Sequence, residues 1–214
     1  MTRAATVPAR SMGHLALYYM PGCEEAARTL LTDLGCELVD NGPAPGRDGF
    51  SSALLDGPRA THCDNLVYLA RMHDEQLRVE KALEESLAQL GLYESWRDIS
   101  EWPEIRPHFG IRFHTMEALE ASLLAIEGHA EPGGPLDGHV RVRKFKARPS
   151  LDPDTDERIR VSPAFHGDER PAFVDFLVQC FVRTDVFGNL TSGGLIELDF
   201  AFPRFLEGVP SYGN

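Results

Sequence analysis

Apolar residues recur along the first third of the chain in two rhythms, one typical of strands and one typical of helices. Residues 14–19 form a short run rich in strand-forming side chains, which predicts a strand. Between residues 23 and 34 apolar side chains return every three or four positions, which predicts a helix, and Gly35 follows as its stop signal. Residues 36–39, 51–55 and 65–70 are three further strand candidates. This part therefore predicts a strand, a helix and three more strands.

The same order of elements returns in the last half of the chain. Residues 108–113 predict a strand, and residues 116–126 predict a helix with apolar side chains on one side. Strands are predicted at 140–147, 174–184 and 195–200, while the Asp-Pro-Asp-Thr-Asp run within 150–170 predicts a long loop with a short strand at 159–161. Each unit is too small to bury its own sheet well, so the repeat indicates two units that pack side by side.

A predicted helix at residues 73–90 joins the two units. Its predicted buried stripe consists of Leu77, Leu83, Leu87 and Leu90, whereas Glu80, Lys81, Glu84 and Glu85 are predicted to face water. We therefore predict an α+β fold with two βαβββ modules, at residues 12–72 and 108–205, and a connector helix and loop at 73–107. Together they are expected to form one domain, with a curved mixed sheet around a central cleft.

Composition narrows the choice of partners and location. The net charge is -12 and the pI is about 5.1, so this surface would repel the phosphates of a nucleic acid. The basic run at residues 141–148 alternates with apolar residues and predicts an exposed strand face. No run approaches the ~18 apolar residues of a membrane span, and the first residues lack the apolar centre of a signal peptide. The four cysteines form no Cys-x-x-Cys pair of the kind that binds zinc. We expect a cytoplasmic protein that binds neither nucleic acid nor membrane.

Three short motifs lie at corresponding strands of the two predicted modules. Residues 13–17 are Gly-His-Leu-Ala-Leu, residues 107–111 are Pro-His-Phe-Gly-Ile, and residues 194–198 are Gly-Leu-Ile-Glu-Leu. These motifs occur in this order on a repeated βαβββ plan that covers nearly the whole chain. Together they resemble the motifs of the vicinal oxygen chelate superfamily. That superfamily includes glyoxalases, bleomycin-resistance proteins and extradiol dioxygenases. The resemblance implies one ligand or metal site between the modules.

The resemblance also implies a set of metal ligands. Metal-dependent members take their ligands from the first and last strands of a module, which correspond here to His14, His108 and Glu197. Two imidazoles and one carboxylate suit Fe(II), and Mn, Ni, Co or Zn use similar ligands. Glyoxalases add a fourth ligand from the other module, but residues 65–70 contain no glutamate; His62 and Asp64, just before them, are the alternatives.

Strand alternation predicts that the candidate site residues lie on polar faces. These faces carry His14 and Tyr18 on the first strand, His108 and Arg112 on the strand at 108–113 with His114 directly after it, and Glu197 on the last strand. Arg112 is expected to bind a substrate carboxylate, with an ion pair to Glu117 or Asp199 as the alternative. Tyr18 and His114 are expected to act as proton donors or to support the metal ligands.

We therefore expect a glyoxalase- or dioxygenase-like metal-dependent enzyme acting on a small substrate with two vicinal oxygens, by isomerase, lyase or dioxygenase chemistry. The alternative is a metal-free small-molecule-binding protein similar to the bleomycin-resistance proteins. The retained His14, His108 and Glu197 favour the enzyme, whereas the glutamate missing from residues 65–70 favours the alternative. Dimers are common in the related proteins, so a homodimer is compatible with both.

Overall fold

The fold is α+β, with two mixed β-sheets and five helices in the part of the chain that the structure describes. The structure is a computed structural model. It describes residues 13–43, 49–55, 65–97, 103, 107–150, 152–165, 169–172, 174–188 and 194–202. None of the helices in these ranges is long and apolar enough to cross a lipid bilayer.

The first sheet has four strands and carries one helix on its apolar side. Its strands are β1 (His14–Tyr19), β2 (Glu37–Asn41), β3 (Phe50–Leu54) and β4 (Leu66–Arg71), in the order β1-β4-β3-β2. β1 runs parallel to β4, and the other neighbours are antiparallel. Helix α1 (Glu24–Asp33) follows β1 and ends at Gly35, whose φ of +84° is a left-handed conformation that glycine adopts without strain.

The second sheet has five strands. They are β5 (Phe109–Arg112), β6 (Val140–Lys146), β7 (Arg170–Pro171), β8 (Leu177–Thr184) and β9 (Leu195–Ala201), in the order β5-β9-β8-β6-β7. β5 runs parallel to β9, whereas β9 pairs antiparallel with β8, and β8 with β6. Helix α4 (Met116–His129) follows β5, and its N-terminus is capped by Thr115 Oγ1, which accepts a hydrogen bond from Ala118 N at 3.1 Å.

The two helices and both sheets share one hydrophobic core. Leu30 and Leu31 of α1 are fully buried with Leu119 and Leu123 of α4, together with the apolar faces of β1, β4, β8 and β9. A polar contact also crosses the two helices, because His129 Nδ1 lies 2.8 Å from Asp33 Oδ2. The helices therefore cover one side of each sheet, and the polar strand faces lie on the opposite side.

Helix α2 (Asp74–Gln89), followed by the short helix α3 (Tyr93–Arg97), confirms the predicted connector helix but not its predicted buried face. Leu83 and Leu90 are 43% and 70% exposed, so the predicted leucine stripe is wrong. Glu80, predicted to face water, is 1% exposed. Its carboxylate occupies space left by the missing side chain of Gly188, where a Cβ atom would lie 2.9 Å from Glu80 Oε1. Space at a glycine thus accommodates one buried carboxylate of this helix, while Lys81 and Glu85 are exposed as predicted.

Helix α5 (Pro153–Arg160) replaces part of the predicted long loop, and the predicted strand at 159–161 is wrong. Asp152 caps the helix by accepting hydrogen bonds from Asp154 N at 3.3 Å and Thr155 N at 3.1 Å. Pro153 lies in the first turn, where a missing N–H costs nothing. The Asp-rich run is therefore a helix start.

Strand β6 also corrects the predicted exposed basic face. Lys144 is half-buried on the helix side of the sheet, where its Nζ lies 2.7 Å from Glu127 Oε1 of α4. Arg143 points to the other side, with its guanidinium 5.6 Å from the centre of the Phe145 ring. Because successive side chains of a strand alternate between faces, the basic residues are divided between the two sides.

Candidate functional site

The polar face of the second sheet brings two predicted ligands together. Ile196 and Leu198 of β9 are fully buried in the core, so Glu197 and Asp199 point to the opposite face. β5 lies beside β9 in parallel register, with Gly110 opposite Glu197. A residue just before β5 therefore reaches the same part of this face, and His108 occupies that place.

His108 and Glu197 are in direct contact. His108 Nε2 lies 3.0 Å from Glu197 Oε2, and the two side chains are 21% and 15% exposed. In this contact Nε2 carries the hydrogen, in either the neutral Nε2–H tautomer or the imidazolium. The imidazole also meets the Phe181 ring edge to face, with 5.7 Å between the ring centres. The His108–Glu197 pair therefore packs against the aromatic ring of Phe181.

Gln179 of β8 is the third member of this cluster, and sequence reasoning did not include it. Its Nε2 donates to Glu197 Oε1 at 2.5 Å, so both carboxylate oxygens are engaged. The Gln179 side chain is almost completely buried, and its Oε1 atom has no hydrogen-bond partner among the described residues. An unsatisfied buried acceptor costs about 1–3 kcal/mol. Strand alternation was the available signal, because β8 pairs antiparallel with β9 and places Gln179 and Phe181 on the Glu197 face.

Arg112 forms the ion pair that was the alternative to substrate binding. Its Nε lies 3.0 Å from Asp199 Oδ1, and its Nη2 lies 3.3 Å from Asp199 Oδ2. These hydrogen bonds to Asp199 raise the pKa of Arg112 above its usual range. His114 is exposed two residues after β5.

His14 and Tyr18 lie on the first sheet. The His14 ring is 4.8 Å from the Tyr68 ring at an angle of 45°, and Phe50 meets Tyr68 edge to face. These four residues line a groove of ≈ 350 Å³. Among the described residues, no three His, Cys, Asp or Glu side chains are grouped so that they could hold a metal ion. The structure therefore brings His108 together with Glu197 but does not bring His14 to them; His62 and Asp64 lie outside the described residues.

A second groove, of ≈ 320 Å³, lies on the first sheet near the start of α1. Arg28 Nη1 donates to Asp40 Oδ1 at 2.8 Å and to Ser51 Oγ at 2.9 Å. The hydrogen bond from Arg28 lowers the pKa of Asp40, and burial, followed by the charge of Glu24, raises the pKa of Tyr19. The charges of Arg28 and Asp40 are already paired with each other.

The His108 cluster combines three groups that can donate lone pairs: an imidazole nitrogen, a carboxylate and an amide oxygen. This is a donor set for a divalent cation of intermediate hardness. Comparisons with protein-family models, with curated proteins and with solved structures give no match.

Proposed function

We propose that the protein is a divalent-metal-dependent enzyme of the vicinal oxygen chelate type, acting on a small substrate with two neighbouring oxygen atoms. The observation that carries the proposal is the contact between His108 Nε2 and Glu197 Oε2 at 3.0 Å on two adjacent parallel strands. The Gln179 amide beside them supports a cation, because its oxygen has no hydrogen-bond partner among the described residues and would offer one more lone pair once the amide rotates. Isomerase, lyase and dioxygenase chemistry are the reaction types that such a site serves.

The topology of the two sheets supports the proposal. In each sheet the first strand along the chain leads into a helix and pairs in parallel with the last strand. Across the sheet, the last strand is flanked on its other side by the third long strand, and the second long strand comes next. In the second sheet α5 and β7 are inserted before β8. This common order fits two βαβββ modules that form a curved sheet around a cleft, as the resemblance of the three motifs implies.

Each residue of the cluster would have a distinct role in such a site. His108 and Glu197 would hold the ion, which supplies Lewis-acid polarisation of two vicinal substrate oxygens. The Glu197 carboxylate offsets the charge of the ion, and Phe181 limits access of water from one side because it is fully buried against His108. Arg112 is 56% exposed on the same face and is available at the rim for a negatively charged part of a substrate, in exchange for Asp199.

Metal content of the purified protein tests the proposal. After anaerobic reconstitution with Fe, Mn, Co, Ni or Zn and removal of free ions, we expect about one ion per chain by mass spectrometry. Glu197→Ala and His108→Ala should lose the ion while remaining folded by circular dichroism. Glu85→Ala, which removes an exposed carboxylate from α2, is the matched control and should retain it. Equal and negligible metal in all four proteins would refute the enzyme proposal.

The second candidate is a metal-free binding protein, and the groove on the first sheet favours it. His14, Phe50 and Tyr68 present three rings to a groove of ≈ 350 Å³, a lining suited to a planar aromatic ligand. Such a ligand should raise the melting temperature of EDTA-treated protein by mass action. Tyr68→Ala should abolish the shift. A shift that requires metal, or none across a panel of planar aromatic compounds, would count against this candidate.

A further inference from the structure

We infer that the side-chain oxygen of Gln179 is the third protein ligand of a divalent cation held by His108 and Glu197, an inference that rests on the proposed function. The cation class is one that accepts one nitrogen and two kinds of oxygen donor, such as Co²⁺, Mn²⁺ or Zn²⁺. The resemblance to the vicinal oxygen chelate superfamily implied His14 for this place. The geometry points to a residue on β8 instead.

The first step of the argument is the unsatisfied amide. Gln179 is 4% exposed, and its Nε2 reaches Glu197 Oε1 at 2.5 Å. The oxygen of the same amide is buried and accepts no hydrogen bond from the described residues. Rotation about the last side-chain bond exchanges the amide nitrogen and oxygen, which are similar in size. A cation at the Glu197 carboxylate would draw the oxygen toward itself and give it a partner, while the amide nitrogen would take the position that the oxygen leaves.

The second step is the charge at this place. The hydrogen-bond partners of the Glu197 carboxylate among the described residues are His108 and Gln179, and the latter is neutral. Arg112 is the positively charged side chain on the adjacent strand β5, and two hydrogen bonds already join it to Asp199. An added positive ion is therefore favoured, and an anion would meet both Glu197 and Asp199.

The third step separates Gln179 from His14. His14 belongs to the first sheet, where it contacts Tyr68 and lines the aromatic groove. Gln179 touches Glu197 directly, because β8 and β9 are neighbours in the second sheet. A third ligand from β8 requires no movement of one sheet toward the other, whereas a ligand from β1 would require it.

Calorimetric titration of the full chain with Co²⁺, with visible absorption as a second readout, tests the inference. Gln179→Leu should weaken Co²⁺ binding at least tenfold, because one ligand is lost. Gln179→Glu should bind at least as tightly as the wild type, because it supplies an oxygen of higher charge. Without metal, that variant places two carboxylates together, so its melting temperature should fall, and Co²⁺ should restore it. Gln89→Leu, an exposed position on α2, is the matched control and should bind like the wild type.

Each other outcome has a distinct meaning. Co²⁺ binding that is unchanged in Gln179→Leu but weakened in His14→Ala would overturn the inference and keep the proposed enzyme with the predicted ligands. A Gln179→Glu protein that is destabilised and not restored by Co²⁺ would limit Gln179 to a hydrogen-bond partner of Glu197. No Co²⁺, Mn²⁺ or Zn²⁺ binding by the wild type would refute the proposed function and the inference together.

Discussion

Removal of the Arg158 side chain should destabilise the protein by about 2 kcal/mol. Arg158 donates from Nη1 and Nη2 to the two oxygens of Glu120 at 2.9 and 2.7 Å, and Ser162 Oγ donates to the same carboxylate at 2.5 Å. The Glu120 side chain is 7% exposed, so Arg158→Ala leaves a buried charge without its counter-ion. Breaking such a pair costs about 3–5 kcal/mol when both partners are buried. Arg158 is 27% exposed, so water reaches the pair and reduces the expected cost.

Thermal and urea unfolding measure this effect, and α5 itself supplies the control. A loss of about 2 kcal/mol corresponds to a fall of about 4–8 °C in the melting temperature of a chain of this size. Arg160→Ala removes an arginine of the same helix whose partner, Glu157, is also exposed, and should leave the melting temperature unchanged. Adding Glu120→Gln to Arg158→Ala should recover part of the loss, because the remaining buried group is then neutral. Equal effects of the two single arginine variants would refute the reasoning.

Two further predictions concern the core. Leu123→Ala should cost about 2–5 kcal/mol in urea unfolding, whereas Leu124→Ala, next along α4 but 45% exposed, should cost far less; similar losses would contradict the assigned core face. Burial raises the pKa of Cys36 to about 12, so the folded state is favoured below the ordinary thiol pKa of about 8.5 and loses this advantage as the pH rises toward 12. The melting temperature of Cys36→Ala should therefore fall less between pH 8 and 11 than that of the wild type, and rapid alkylation of native Cys36 at pH 8 would refute the burial argument.

The strands could be predicted from the sequence because alternation depends only on neighbouring residues. Residues 14–19 were predicted as a strand and form β1 with the same bounds, and the last strand differs by one residue. Helix α5 escaped prediction because its start consists of Asp152, Pro153 and two more aspartates, which are also loop formers. The burial of Glu80 on α2 was also not predicted, since its carboxylate lies where Gly188 leaves space for it. Such burial depends on a distant partner.

The candidate site, too, could be predicted from the sequence only in part. The contact between His108 and Glu197 depends on the parity of their side chains, which a sequence supplies, and on the adjacency of β5 and β9, which only the family resemblance implied. The position of His14 relative to them depends on how two sheets pack through α1 and α4, which no periodicity encodes. Gln179 was not among the residues that sequence reasoning proposed for the site. Its role emerges when the register of β8 against β9 is known.

The surroundings of Gln179 give the strongest physical reason to regard this cluster as functional. On the same face of β8 its neighbours two residues away, Leu177 and Phe181, are apolar and buried, and they pack with Phe145 in a small hydrophobic cluster. A leucine at position 179 would extend that cluster and remove the unsatisfied oxygen, but it would also remove the hydrogen bond that Gln179 donates to the Glu197 carboxylate. In the metal-free fold the cost of the unsatisfied oxygen is therefore offset by this hydrogen bond, and a bound cation would add a gain in stability that leucine cannot supply. If such a cation binds, the metal-dependent gain in melting temperature should be larger in the wild type than in Gln179→Leu, even where the metal-free proteins melt together.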